Sequence, residues 1–199
     1  MRLWIELSGE HPTLPRAEAL AAFEAERVDL REASWSSKVL RLETVGPAQR
    51  AAARLGLAHV VCEELAHGSL EDLRAYARTV DLAGKTFRTR ARAFGADLDV
   101  AAVEGALGAD FGRSGRVDLV SPSVDFRVLV GDEFVLGRVL HRVDRGAMEA
   151  RTVTHRSFRL PISLHPKLAR ALVNLARVPM GGILVDPFCG TGGVVLEAS

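Results

Sequence analysis

One stretch near the end of the 199-residue chain restricts its fold more than any other: ILVDPFCGTGGVVLE, from Ile183 to Glu197. An apolar run ends in Asp186, a glycine-rich turn follows through Gly190, Gly192 and Gly193, and helix-compatible text begins at about Gly193. Strand, glycine turn and helix in that order form the nucleotide-binding crevice of open α/β sheets. Glycines are required there because a side chain would hold a ligand away from the backbone, and free N–H groups at the helix start can meet a carboxylate. A carboxylate at the strand end can accept hydrogen bonds from an amine, so the unit suits an amino acid joined to an adenosine. It is not a phosphate loop, because no Lys-Ser/Thr pair follows the glycines. Nor does it have the G-x-G-x-x-G spacing of a dinucleotide site.

The preceding residues predict alternating short strands and helices. Arg2 to Leu7 alternates like a strand, and Pro15 opens a helix through Glu26. Val28 to Ser34 and Lys38 to Val45 read as two strands bent at Trp35, Ser36 and Ser37, and an alanine-rich helix follows to about Leu55. This is an α+β pattern, suited to a small open sheet with helices on one face, as in ferredoxin-like folds. A second module starts near His59. Ser69 and Asp72 form a capping box for a helix to about Val80, Thr86 to Phe94 reads as a strand, and Asp99 caps a short helix to Leu107. In DFRVLVGDEFVLGRVL, Gly131-Asp132 predicts a tight hairpin turn between two strands. Residues 145–160 lose periodicity and read as a connector. Pro166 then starts a helix whose apolar face is Leu168, Leu172, Leu175 and Ala176, ending at Val178-Pro179.

Formal net charge is only +1, which excludes nucleic-acid binding by overwhelming basicity. Distribution is more informative: residues 1–80 carry 10 basic and 12 acidic side chains, whereas residues 81–160 carry 13 basic and 11 acidic. Lys38, Lys85 and Lys167 are the three lysines, and the other cations are arginines, which suit phosphate contacts but equally reflect a GC-rich genome. Lys85 to Arg92 (KTFRTRAR) contains four cations and no acid. On a strand, Arg88, Arg90 and Arg92 share one face at a spacing of roughly 6.7 Å, a row able to follow a single-stranded backbone or to serve only as a solvated face. Arg138, Arg142 and Arg145, with His141, form a second cluster that could extend this surface. Arg50, Arg54 and Arg78 fall on helical faces expected to be solvated.

Other chemistries find little support. Cys62 and Cys189 stand apart without a Cys or His cluster, so neither a disulfide framework nor a metal site is expected, and both should be reduced thiols. His141 lacks a carboxylate or nucleophile partner that would make it a catalytic base, and His165 reads as the residue opening a helix. No run approaches the roughly 18 to 20 apolar residues of a membrane span, and the N-terminus lacks a signal-peptide core, so a cytoplasmic protein is expected.

DPFCGTGG closely resembles motif I of amino-methyltransferases that use S-adenosylmethionine. SLHPKLARALVNLARV, residues 163–178, resembles the helix before motif I in the THUMP-containing tRNA guanine-N2-methyltransferases that act on the guanine at position ten. That resemblance implies a ferredoxin-like N-terminal domain over residues 1–56, a THUMP RNA-binding domain over 57–144, a linker over 145–162 and the start of a Rossmann-like catalytic domain over 163–199. It places Asp186, Pro187, Phe188, Gly190, Thr191 and Gly192 along the S-adenosylmethionine pocket, although Phe188 and Cys189 could simply pack the turn. It also makes Lys85, Arg88, Arg90, Arg92, Arg138, Arg142 and Arg145 candidates for binding tRNA at its acceptor end.

The chain departs from the family in two respects: the (Asn/Asp)-Pro-Pro-(Tyr/Phe) motif that positions the exocyclic amine does not occur in it, and the acidic residue expected to hold the cofactor ribose at the end of the next strand is absent because the chain stops at Ser199. No catalytic residue is assigned. Only about 35 residues follow His165, against the roughly 100 of an independent domain, so the catalytic fold is expected to be cut off after motif I. A separate chain could then supply the remainder. The rival expectations are a stand-alone RNA-binding module with a vestigial motif I and a DNA amino-methyltransferase, the latter disfavoured by the THUMP-like region.

Overall fold

The computed structural model describes residues 1–36, 38–94, 99–152 and 163–199. The fold is mixed α/β, with eight strands in one sheet ordered β2-β3-β1-β4-β8-β7-β5-β6. Two compact units divide the chain, residues 1–61 with 140–199 and residues 62–139.

The first unit begins with β1 (Arg2–Leu7), α1 (Leu14–Ala25), β2 (Asp29–Trp35), β3 (Val39–Val45) and α2 (Gln49–Arg54). β3 pairs antiparallel with both β1 and β2, and a bulge lies between Glu32 and Ser34. Alternation sends Leu3, Ile5 and Leu7 into a core with Phe23, Leu40, Leu42 and a set of alanines from α1 and α2. Alanines lose little entropy in a helix and allow close approach to the sheet. β4 (Ala58–Gly68) then leads into the second unit, and after it the chain forms α5 (Arg145–Ala150), α6 (Pro166–Leu175) and α7 (Gly193–Ala198).

The second unit holds α3 (Leu70–Thr79), β5 (Thr86–Ala93), α4 (Val100–Phe111), β6 (Arg116–Val117), β7 (Val124–Val130) and most of β8 (Phe134–Arg142). β5 runs parallel to β6 and β7, and β7 and β8 form the expected hairpin with Val130 opposite Phe134. Phe111 and Phe126 stack at 4.0 Å with Phe87 tilted against both, anchoring α4 on the sheet. The Ser69/Asp72 capping box is present in both directions, and Asp99 caps α4 by accepting from the Ala101 and Ala102 N–H groups. α4 runs on to Phe111 instead of stopping at Leu107, because Phe111 is a core residue.

Three expectations need correction. Residues 145–150 of the expected connector form α5, capped by Asp144 accepting from the Ala147 N–H, while 153–160 lie outside the described residues. Ile183 to Asp186 belongs to no strand, and without strand neighbours Ile183 and Val185 stand exposed. Finally, α6 buries Ala169, Ala171, Val173 and Asn174 and leaves Leu172 49% exposed, because the small side chains are those packed in the unit's interior.

Candidate functional site

The glycine turn keeps the local geometry its sequence demands. Gly190 and Gly192 have φ values of 51° and 72°, in the left-handed region where an L side chain is strained. Gly192 is the residue before α7, and its N–H donates to the Cys189 carbonyl at 2.7 Å. An added Cβ at Gly192 would meet nothing within 4 Å, so the turn lies beside open space. Asp186 bridges into the turn, one carboxylate oxygen accepting from the Phe188 N–H at 3.0 Å. The Thr191 hydroxyl lies 2.8 Å from that of Ser163. Phe188 is 93% exposed, so its ring does not pack the turn. Pro187 and Cys189 are exposed as well.

What holds this turn against the rest of the unit is a residue the sequence reading passed over. Glu197 of α7 has a fully buried side chain, and its carboxylate accepts from Arg151 Nε at 2.7 Å and from Arg170 Nε at 3.0 Å. Burial raises its pKa, but the hydrogen bonds from Arg151 and then Arg170 outweigh burial, and the carboxyl is held below the usual range. A second buried acid, Glu18 of α1, accepts from the Gly56 and Leu57 N–H groups at 2.7 and 2.8 Å and from the Asn174 amide at 2.9 Å. Burial pushes its carboxyl upward. Asn174 in turn accepts from Arg54, which also donates to Glu26. A lone acid within apolar helix text, as at Glu197, was the available signal; Glu18 shares its helix with Glu24 and gave no such signal.

The arginine row is present but not bare. Arg88, Arg90 and Arg92 alternate along β5 with Phe87, Thr89 and Ala91, as the strand period requires. The cluster is free of acids in sequence but not in space. Asp125 on β7 lies opposite Arg88 and accepts from it at 2.9 and 2.6 Å, and Glu104 of α4 accepts from Arg90 at 3.2 Å. The Arg92 guanidinium sits 5.1 Å from the Phe94 ring.

Arg138 does not extend this row. It is opposite Phe126, on the other face of β7 from Asp125, and donates to Glu63 at 2.6 Å. With Lys85, Tyr76 and Phe126 it borders a separate cleft of about 330 Å³. In the first unit Arg142 is exposed, and Arg145 lies 3.5 Å from Glu10 and 3.4 Å from His59. Half-buried His141 has a pKa lowered by that burial. Arg54 and Arg78 are not solvated spectators: Arg54 joins the Glu26–Asn174 network, and Arg78 pairs with Asp110 and Glu71.

The family model for the RMKL-like methyltransferase domain matches residues 154–199, which include the glycine turn. A tRNA (guanine(10)-N2)-dimethyltransferase of Methanothermobacter thermautotrophicus is 33% identical over 207 residues, covering 100% of this chain and 61% of that protein. The enzyme of the same name from Pyrococcus abyssi is 30% identical, over 98% of this chain and 59% of its own. The chain is thus similar over its whole length to proteins named tRNA (guanine(10)-N2)-dimethyltransferase. It spans about three fifths of the length of these relatives. The crystal structure of TrmN from Thermus thermophilus matches with a TM-score of 0.65 at 27% identity, over 99% of this chain and 60% of that one. Among the described residues, no helix is long and apolar enough to cross a membrane, and no group of three or more His, Cys, Asp and Glu could hold a metal ion.

Proposed function

We propose that the chain is the tRNA-recruiting and cofactor-loop part of an S-adenosylmethionine-dependent enzyme that methylates the exocyclic N2 amine of a tRNA guanine. The observation carrying this reading is the glycine turn at residues 186–193, with open space beside Gly192, in a chain similar over its whole length to named tRNA methyltransferases. The bound cofactor would supply an electrophilic methyl group. Asp186 and the backbone of Gly190, Thr191 and Gly192 would bind and orient it, with Pro187 and the exposed Phe188 ring as an apolar edge. Methyl transfer also needs acceptors for the amine protons, and the (Asn/Asp)-Pro-Pro-(Tyr/Phe) motif that would provide them is not in these 199 residues.

On this reading residues 1–56 are a ferredoxin-like domain, 57–144 a THUMP domain, 145–162 a linker and 163–199 the beginning of the methyltransferase domain, acting in the cytoplasm. tRNA, engaged near its acceptor end, lies along Arg88, Arg90 and Arg92; Lys85 and Arg138, which border the cleft on the other face, and Arg142 and Arg145 of the first unit are candidate contacts outside that row. Further polypeptide, on this chain or another, completes the catalytic site. A stand-alone RNA-binding role is the alternative.

The experiment is tRNA binding across a salt series together with methyl transfer from labelled S-adenosylmethionine. The 199-residue chain is expected to bind unmodified tRNA and to transfer no methyl group alone. Ala at Arg88, Arg90 and Arg92 together should flatten the slope of log K against log salt by at most about 2, at roughly 0.7 per single-strand contact, with less from Arg88 because Asp125 already holds it. Arg50→Ala with Arg113→Ala, both exposed, is the control. Equal slopes for wild type and the triple variant would remove the row from the interface, and sustained methyl incorporation would show that these residues already hold a complete active site.

A further inference from the structure

A cavity at the start of α6, away from the glycine turn, is bordered by Glu10, Gly56, Arg145, Glu149, His165 and Lys167. It holds about 70 Å³, room for several waters or one small tetrahedral oxyanion. Lys167 and Arg145 converge on a single anion there, the Glu10 carboxylate. Lys167 Nζ donates to Glu10 Oε2, and the Arg145 guanidinium lies 3.5 Å from Oε1.

The two sides of this contact are built differently. Lys167 belongs to a tightly seated helix start. His165 Nδ1 accepts from the Lys167 N–H at 3.3 Å, and a Cβ on Gly56 would come within 2.8 Å of the Lys167 carbonyl oxygen, so this turn and α6 touch backbone to backbone. Glu18 fastens the same turn to α6 through Asn174. Glu10 lies in residues 8–13, which form neither helix nor strand, and among the described residues no backbone–backbone hydrogen bond engages residues 9–12. Its side chain is 41% exposed. A carboxylate on a loop tied locally by the His11 ring, which accepts from the Thr13 and Leu14 N–H groups, thus bridges the seated Lys167 and the more exposed Arg145.

We infer that Lys167 and Arg145 form a binding socket for one backbone phosphate of an RNA, and that Glu10 occupies it until the phosphate displaces it. The inference rests on the tRNA-binding reading for the identity of the ligand. Exchange of carboxylate for phosphodiester leaves the charge of the socket unchanged, and the arginine fork matches two phosphate oxygens better than it meets Glu10 at 3.5 Å. The socket therefore does not need a large positive patch, in keeping with a net charge of only +1. Glu10 also deters weakly competing anions, since any entrant must beat a carboxylate already in place.

The test compares wild type with Glu10→Gln and Lys167→Met, each checked for an unchanged thermal melt, in tRNA binding over a salt series and in titration with inorganic phosphate. Glu10→Gln should bind tRNA several-fold more tightly, because the competitor is gone. Lys167→Met should weaken binding and flatten the salt slope by roughly 0.7 to 0.9, the value of one phosphate contact. A merely structural role for Lys167 would leave that slope unchanged. If wild type binds tRNA and both variants match it in affinity and slope, the socket is overturned while the tRNA reading stands. If no form binds tRNA, the tRNA reading fails and the phosphate titration decides: saturable phosphate binding strengthened by Glu10→Gln and lost in Lys167→Met supports an oxyanion socket for a free phosphate, and its absence in all forms overturns the socket too.

Discussion

The two compact units seat α4 and the α6–α7 pair by different physics, although the second unit also joins α3 to α4 through Asp110, which accepts from Arg74 and Arg78. In residues 62–139, α4 is fixed to the sheet by three phenylalanines, Phe87, Phe111 and Phe126, with ring centroids 4.0 to 6.4 Å apart. In the other unit, α6 and α7 are fixed by buried acids: Glu18 joins α1, the 56–57 turn and α6, and Glu197 joins α5, α6 and α7. Aromatic packing adds stability with little dependence on solution conditions. A buried ionic clasp adds little over an apolar replacement, yet it costs heavily when half removed and carries a dependence on pH. The helix that follows the glycine turn is thus held by the more conditional of the two devices.

The sharpest way to break the comparison is to remove the centre of each device. Phe111→Ala should cost about 3 to 5 kcal/mol, since it leaves a cavity under two rings. Denaturant unfolding followed by amide signals of the second unit measures it, and the loss should be the same at pH 4 and pH 7. Glu197→Ala should cost less, about 2 to 3 kcal/mol, because Arg151 and Arg170 are 39% and 26% exposed and water can partly replace the carboxylate. Equal pH behaviour of the two variants would remove the distinction drawn here.

The pH dependence sharpens it further, because the two buried acids have opposite signs. Glu197 is held below the ordinary glutamate range, so its contribution is present above the unfolded value of about 4.3 and is lost as pH falls through its lower folded value. Glu18 is pushed upward by burial, so its folded form favours the proton, and stability declines as pH rises from about 4.3 through the raised value, then levels. Glu197→Gln should therefore flatten the acid limb of a stability–pH profile, and Glu18→Gln should flatten the decline above it. Profiles parallel to wild type in both variants would show that neither carboxyl is shifted.

The same contrast explains what was legible in the sequence. Apolar periodicity, capping residues and the Gly131-Asp132 hairpin are local signals, and β5, β7, β8 and the caps of α3 and α4 appear where they indicate. The glycine turn was equally local, since glycine is the residue that most readily takes the positive φ seen at Gly190 and Gly192. Partnerships between distant residues were not legible. Asp125 beside Arg88 is 37 positions away and Asn174 is 156 from Glu18, so neither the acids paired with Arg88 and Arg90 nor the contacts of the buried acids could be read from spacing. Ile183 to Asp186 has strand composition, but a strand is completed by its neighbours, and composition does not supply them.

The smallest predicted effect lies on α6, where pattern and structure disagree most directly. Periodicity nominates Leu172 for the apolar face, whereas the structure leaves it 49% exposed and buries Asn174 completely. Leu172→Ala should change stability by less than about 0.5 kcal/mol, because a half-exposed side chain loses little burial and leaves no cavity, and alanine is the better helix former. Asn174→Leu, at a position that pattern leaves off the apolar face, should destabilise. It removes the amide that donates to Glu18 and to the Arg54 carbonyl and the oxygen that accepts from Arg54, leaving these groups to find partners in a buried setting. Thermal melts of the two variants side by side provide the measurement. A large loss for Leu172→Ala with little for Asn174→Leu would mean that α6 sits rotated by about one residue, 100° on a helix of 3.6 residues per turn, and that its helix is held by leucines in the manner of the phenylalanine unit.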